Sequence, residues 1–99
     1  MSFSTVQEAV DAIGRGEVVI VLDAEDRENE GDYICAAELV TDKTINFMLS
    51  GRGQLCCPIL PSACKRLELR PIVDHNNAPL QTAFMTPVDH MGSKTGITA

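Results

Sequence analysis

The chain has no tryptophan, and aromatic residues make up only 4% of its 99 positions. Stacking platforms for nucleic-acid bases are therefore nearly absent. Basic residues are also scarce. Eight Lys and Arg face fourteen Asp and Glu, for a net charge of −6. A basic stripe for phosphate backbones is excluded, and with it a nucleic-acid partner. No Cys-x-x-Cys pair occurs among Cys35, Cys56, Cys57 and Cys64, so a structural zinc site is not expected. Adjacent Cys56 and Cys57 are poorly placed to bridge each other. The longest aliphatic run, Val18–Leu22, cannot span a bilayer, and the start MSFSTVQEAV lacks the basic and apolar regions of a signal peptide. Free thiols in a reducing cytoplasm are the expectation. There is no internal repeat, linker or low-complexity segment, and one domain over residues 1–99 is expected.

What the chain does have is acid, concentrated in one place. Asp23-Ala24-Glu25-Asp26-Arg27-Glu28-Asn29-Glu30-Gly31-Asp32 holds six carboxylates and one arginine. It separates two apolar runs, Val18–Leu22 and Tyr33–Ala37, that read as strands. So many like charges in a short loop repel one another unless a cation relieves them. A divalent metal, a basic partner or a cationic ligand would do so. The plainer alternative is a solvated hairpin-like loop. Three details favour a site: Arg27 stands between Asp26 and Glu28, Gly31 relaxes the backbone, and the loop follows an aliphatic strand. The acids are not spaced as in an EF-hand, and no Gly-rich run precedes a Lys-Ser/Thr pair as in a P-loop. Such a loop can hold Mg²⁺ through one or two carboxylate oxygens while a second carboxylate moves protons. A sugar phosphate would use both.

The surrounding pattern alternates helix and strand. Ser4-x-x-Gln7 resembles a capping box, with Val6, Ala9, Val10 and Ile13 at helical spacing and Gly14 and Gly16 as stops. Glu17–Leu22 reads as a buried strand and Asp32–Ala37 as a second. A helix is expected from Thr41 to about Ser50, burying Ile45, Met48 and Leu49 before Gly51 and Gly53 end it. Leu55–Leu60 reads as a third strand, Pro61 to about Leu69 as a short helix, and Thr82–Val88 as a fourth strand. This is a mixed α/β pattern. The last residues, Ile97-Thr98-Ala99, close no sheet edge, so a second copy or further chain is expected to cover it.

The run Asp26-Arg27-Glu28-Asn29-Glu30-Gly31-Asp32 after an aliphatic strand closely resembles the signature of 3,4-dihydroxy-2-butanone 4-phosphate synthases. Ala36-Ala37-Glu38, Gly51-Arg52-Gly53 with Cys56, Asn76-Asn77, Thr82-Ala83-Phe84 and Thr95-Gly96-Ile97 follow in the family's order. The resemblance implies a mixed sheet flanked by helices and a cytoplasmic, homodimeric lyase of riboflavin biosynthesis. Its reaction converts D-ribulose 5-phosphate to 3,4-dihydroxy-2-butanone 4-phosphate and formate, using Mg²⁺ or Mn²⁺. It also implies roles. Glu28 would ligate the metal. Arg27 and Asp32 would contact the sugar, Asp32 through its hydroxyls, and Glu30 would be an acid/base or orienting group. Thr95 would approach the phosphate, of the neighbouring subunit in a homodimer, and Cys56 would line the pocket. The family pattern also contains a metal-completing His, an Arg-x-Gly-His-Thr stretch and a further Glu and His. None of these is present, and His75 and His90 do not match them. The resemblance thus covers an N-terminal half, expected to be inactive alone. The alternative is a shortened, non-catalytic domain that dimerises or binds cations.

Several other residues have plainer readings. A buried free thiol is the simpler reading of Cys56. His75 and His90 read as exposed, and Lys65-Arg66 as a solvent-facing helix surface. Arg52 would either meet phosphate or accompany a helix end. Asn76-Asn77 reads as turn chemistry, and Lys94-Thr95-Gly96 as a weak phosphate cradle.

Overall fold

The computed structural model describes residues 2–99, which group into two compact units. The first comprises residues up to Cys56 together with Ile97–Ala99; the second is Cys57–Gly96.

In the first unit, helix α1 (Val6–Gly14) leads into an antiparallel hairpin of β1 (Val19–Leu22) and β2 (Gly31–Ile34). A single 3-10 turn (Ala37–Leu39) and helix α2 (Asp42–Leu49) follow. Helix α1 does start with a capping box, but one residue later than its sequence suggests. Thr5 Oγ1 accepts the Glu8 N–H at 3.2 Å, and the Glu8 carboxylate accepts the Thr5 N–H at 2.7 Å. A charged carboxylate at a helix N-terminus is a better partner than the neutral Gln7 amide, because it also meets the positive end of the helix dipole. Gln7 instead donates to Asp11 at 2.8 Å. The hydrogen bond from the Thr5 backbone N–H holds the Glu8 carboxyl below its ordinary value, and one from the Thr5 hydroxyl adds to it. Helix α2 begins as its spacing predicts. Thr41 caps it, reciprocated by Thr44, and Ile45, Met48 and Leu49 are half-buried along one side.

The hairpin has four pairs, Val19–Ile34, Ile20–Tyr33, Val21–Asp32 and Leu22–Gly31. Its first strand is not the buried element expected from five consecutive aliphatic residues. Ile20 is 64% exposed, and Val21 and Leu22 are exposed too. A two-stranded ribbon has two faces and two edges, and the described residues do not cover both faces. The aliphatic run encodes a demand for burial on both sides, not the layer that meets it. Gly31 also plays a different part from the one expected. It is paired with Leu22 at the start of β2, and the left-handed backbone falls on Asn29, at φ 51°. Asparagine tolerates this region better than other side chains.

In the second unit, helix α3 (Pro61–Arg66) has proline in its first turn and ends three residues short of Leu69, where Glu68 turns left-handed at φ 55°. Cys64 on this helix is the buried apolar residue of the described chain, at 8% exposure. The expected third strand, Leu55–Leu60, forms no ladder, and the expected fourth, Thr82–Val88, is reduced to the bridge Pro71–Met85. Hydrogen bonds from the Ile72 N–H to the Phe84 carbonyl (3.1 Å) and from the Thr86 N–H to the Arg70 carbonyl (2.8 Å) flank that bridge. Pro58, Pro71 and Pro87 each withhold an N–H donor, so neither segment can extend a regular ladder by itself. Asn76 behaves as turn chemistry predicts. Its carbonyl oxygen accepts the Ala78 N–H at 3.1 Å, and its amide donates to the Thr82 carbonyl at 3.0 Å. His75, His90, Lys65 and Arg66 are exposed, as expected.

Candidate functional site

The acidic loop leaves β1 and returns to β2, and one residue organises it. Asp23, next after the strand, folds its carboxylate back over the turn. Its Oδ1 accepts the Glu30 N–H at 2.9 Å. Its Oδ2 accepts the Glu28 N–H at 2.9 Å and a hydrogen bond from Arg27 Nη1 at 2.9 Å. The Asp23 N–H closes the base of the loop on the Glu30 carbonyl at 3.3 Å, and the Arg27 N–H donates to the Ala24 carbonyl at 3.0 Å. These donors hold the Asp23 carboxyl below the usual aspartate range: the Glu30 N–H most, then that of Glu28, with Arg27 adding to them. The charge crowding read from the sequence is therefore relieved partly from within. One of six carboxylates is neutralised by the loop's own backbone and arginine.

Arg27 also reaches forward. Its Nη2 lies 3.2 Å from Glu28 Oε1, so one guanidinium spans Asp23 and Glu28. Such an ion pair at an exposed position adds little stability; what it fixes is direction. The Glu28 side chain remains about one-third exposed, at 34%. Glu30 is exposed on the same loop, and Asp32 is exposed on β2 opposite Val21. Four of the residues singled out by sequence, Arg27, Glu28, Glu30 and Asp32, thus share one hairpin.

Asp32 also lines a cavity of about 350 Å³ within the first unit. Its other walls include Tyr33 from β2, Met48 and Leu49 from α2, and Gly51, Gln54 and Leu55 from the segment that follows. The Tyr33 ring packs on Phe47 with centroids 5.1 Å apart. Gly51 is needed here for space. A Cβ on it would lie 2.9 Å from Tyr33 Cε2 and 3.2 Å from the Met48 carbonyl oxygen. Arg52, the next residue, is left-handed at φ 57°, three residues past the end of α2.

Two further expected site residues are not part of the hairpin. Cys56 is exposed and outside any strand, which corrects its reading as a buried strand thiol; without a ladder partner nothing encloses it. Thr95 belongs to the second unit and is exposed. Sequence reasoning missed Asp23 and Tyr33. Asp23 could have been found from its position: an aspartate at the start of a turn, four residues before an arginine, can take both backbone amides and the cation. Among the described residues no three His, Cys, Asp or Glu side chains converge into a cage for a metal ion. Glu28 nevertheless fits a hard cation as a partial donor set. Magnesium commonly takes one or two protein carboxylates and fills its other positions with water and substrate oxygens.

A sequence model described as 3,4-dihydroxy-2-butanone 4-phosphate synthase matches residues 7–99. The chain belongs to the 3,4-dihydroxy-2-butanone 4-phosphate synthase family. It is 49% identical over 98 residues to the riboflavin biosynthesis protein RibBA of Bacillus subtilis (strain 168), covering 98% of this chain and 25% of that protein. It is similar to a crystal structure of a 3,4-dihydroxy-2-butanone 4-phosphate synthase in complex with two magnesium ions. The TM-score there is 0.83 at 38% identity, over 97% of this chain and 46% of the other. The two-domain family member RibBX from A. baumannii matches with a TM-score of 0.70 at 45% identity, over 77% of this chain and 23% of its own. The chain therefore spans about a quarter of the length of the curated relatives it matches and under half of the solved synthase. The mixed α/β class read from the sequence is that of these synthase structures.

Proposed function

We propose that this chain supplies the loop-bearing part of a synthase site in riboflavin biosynthesis, one that converts D-ribulose 5-phosphate to 3,4-dihydroxy-2-butanone 4-phosphate and formate. The observation that carries the reading is the hairpin, which bears Arg27, Glu28, Glu30 and Asp32, with Arg27 paired to Glu28 and Asp32 lining the cavity. The family match and the RibBA relative support it.

In this reading Glu28 holds a divalent cation, Mg²⁺ or Mn²⁺; the magnesium-bound family structure supports the first. When bound, such a cation acidifies sugar hydroxyls and offsets negative charge developing on sugar oxygens. Arg27, spanning Asp23 and Glu28, keeps the Glu28 carboxylate turned to one side and leaves guanidinium protons for the sugar. Asp32, fixed by strand pairing, accepts from sugar hydroxyls. Glu30 takes or returns a proton at the reacting carbons, a role for which a positioned carboxylate suits. Thr95 contacts substrate phosphate of the neighbouring subunit in a homodimer, and Cys56 lines the substrate pocket only in the complete site, being exposed in this chain. A cytoplasmic location belongs to the same proposal.

The test uses the complete natural protein with ribulose 5-phosphate and Mg²⁺, with formate as the readout. Formate release supports the synthase. A folded protein that releases none, yet dimerises or binds Mg²⁺ without coupling to sugar phosphate, would instead be a non-catalytic homologue. The 99 residues alone are expected to be inactive.

A further inference from the structure

The roles proposed above need three side chains to present together from a loop of exposed residues. Nothing in the backbone of a charged turn guarantees that. The six carboxylates would, left alone, spread the loop apart. One of them does the opposite. Asp23 is the sole loop acid whose two oxygens both face inward, onto the amides of Glu28 and Glu30 and onto Arg27, all at 2.9 Å. Its side chain is the least exposed of the three ion-paired residues, at 22%, against 53% for Arg27 and 34% for Glu28.

We propose that Asp23 is the positioning residue of the loop, clasping Arg27, Glu28 and Glu30 into one arrangement. Its two oxygens divide the work. Oδ1 fixes the backbone at Glu30, and Oδ2 fixes it at Glu28 while also holding Arg27. Because Arg27 in turn contacts the Glu28 carboxylate at 3.2 Å, Asp23 sets both the position of the Glu28 main chain and the direction of its side chain. Two amides separated by one residue are gathered by one carboxylate, and Asn29 between them takes the left-handed conformation that this requires. Three of the about four acceptor sites of the Asp23 carboxylate are thus taken up inside the loop. It acts through its neighbours rather than as a ligand.

The activity readout rests on the synthase reading, whereas the geometric one does not. In the complete natural protein, Asp23→Ala is expected to lower kcat for formate release and to weaken Mg²⁺ binding by about 10- to 100-fold, the usual effect of removing a group that orients a ligand. KM for ribulose 5-phosphate is expected to change less than kcat. Amide hydrogen exchange at Glu28 and Glu30 should accelerate, while the amides of α1 and α2 keep their protection. Asp23→Asn, which preserves shape and one acceptor oxygen, should fall between Asp23→Ala and the native residue in every readout. It decides the matter should the alanine variant fail to fold. Native exchange at Glu28 and Glu30 in either folded variant would overturn the clasp, as would native Mg²⁺ affinity in Asp23→Ala. If the unmodified protein releases no formate, the synthase reading fails, and the exchange measurement still decides the role of Asp23.

Discussion

The two units of this chain organise their backbones by different means. Residues up to Cys56 use two helices with reciprocal side-chain caps, a four-pair hairpin and an aspartate that ties a ten-residue loop to itself. Residues 57–96 use a six-residue helix without a side-chain cap, one bridge and an asparagine turn. Both have large apolar side chains exposed, among them Ile20 and Leu22 in the first unit and Leu60 and Val88 in the second. The difference lies in polar organisation. The first unit places its charged groups by short, specific hydrogen bonds, and it is the unit that carries Arg27, Glu28, Glu30 and Asp32. A site needs fixed directions more than it needs a large core, and directions come from such bonds.

If this contrast is right, substitutions in the first unit should have specific effects and those on the second unit's surface should have few. The largest expected effect is on chemistry. Glu30→Gln keeps size and hydrogen-bonding shape but removes the proton-accepting carboxylate, and should lower formate turnover by about 10²- to 10⁴-fold. Steady-state kinetics on the folded variant check this. Next comes packing. Gly51→Val places a Cβ 2.9 Å from Tyr33 and 3.2 Å from the Met48 carbonyl, and overpacking of this kind costs about 1–3 kcal/mol. Chemical denaturation should show the loss.

A smaller effect is expected at the helix α1 cap. Thr5→Ala removes the acceptor for the Glu8 N–H and should cost about 1 kcal/mol. The same cap carries a pH signature. The Glu8 carboxyl lies below its ordinary value of 4.5 because the Thr5 backbone N–H, and then the Thr5 hydroxyl, donate to it. The folded state therefore favours the ionised form. Its contribution is fully present above 4.5 and disappears as pH falls through the lowered folded-state value. The stability gap between the native protein and Glu8→Gln should be constant near neutrality and narrow on acidification, as thermal melts across pH would show. Smallest of all, Lys65→Ala on the exposed face of α3 should shift stability by less than about 0.5 kcal/mol. A large loss there would break the contrast between the units.

Much of the first unit was legible because its signals are local. Thr41 before an apolar stripe marks a helix start, and an acidic turn between two aliphatic runs marks a hairpin. Ser4 and Thr5 offered two registers for the first cap, and the choice depended on which partner was charged. What could not be read were features that depend on distant partners. Val18–Leu22 declares that it should be buried, without declaring by what. Leu55–Leu60 has the composition of a strand, but a strand exists only where another edge meets it, and Pro58 removes one of its donors. The same absence exposes Cys56. Within the site, the sequence located the loop and four of its functional candidates. It could not say which of six carboxylates turns inward, since that follows from where Asn29 bends the backbone.

The central claim is that the hairpin loop holds a divalent cation through Glu28 for chemistry on a sugar phosphate. The most direct measurement is formate release from ribulose 5-phosphate and Mg²⁺ by the complete natural protein and its Glu28→Gln variant, each with Mg²⁺ affinity measured by calorimetry. Formate and sugar-coupled Mg²⁺ binding are expected in the native protein, with loss of both in folded Glu28→Gln. Native turnover and Mg²⁺ affinity in that variant would contradict it.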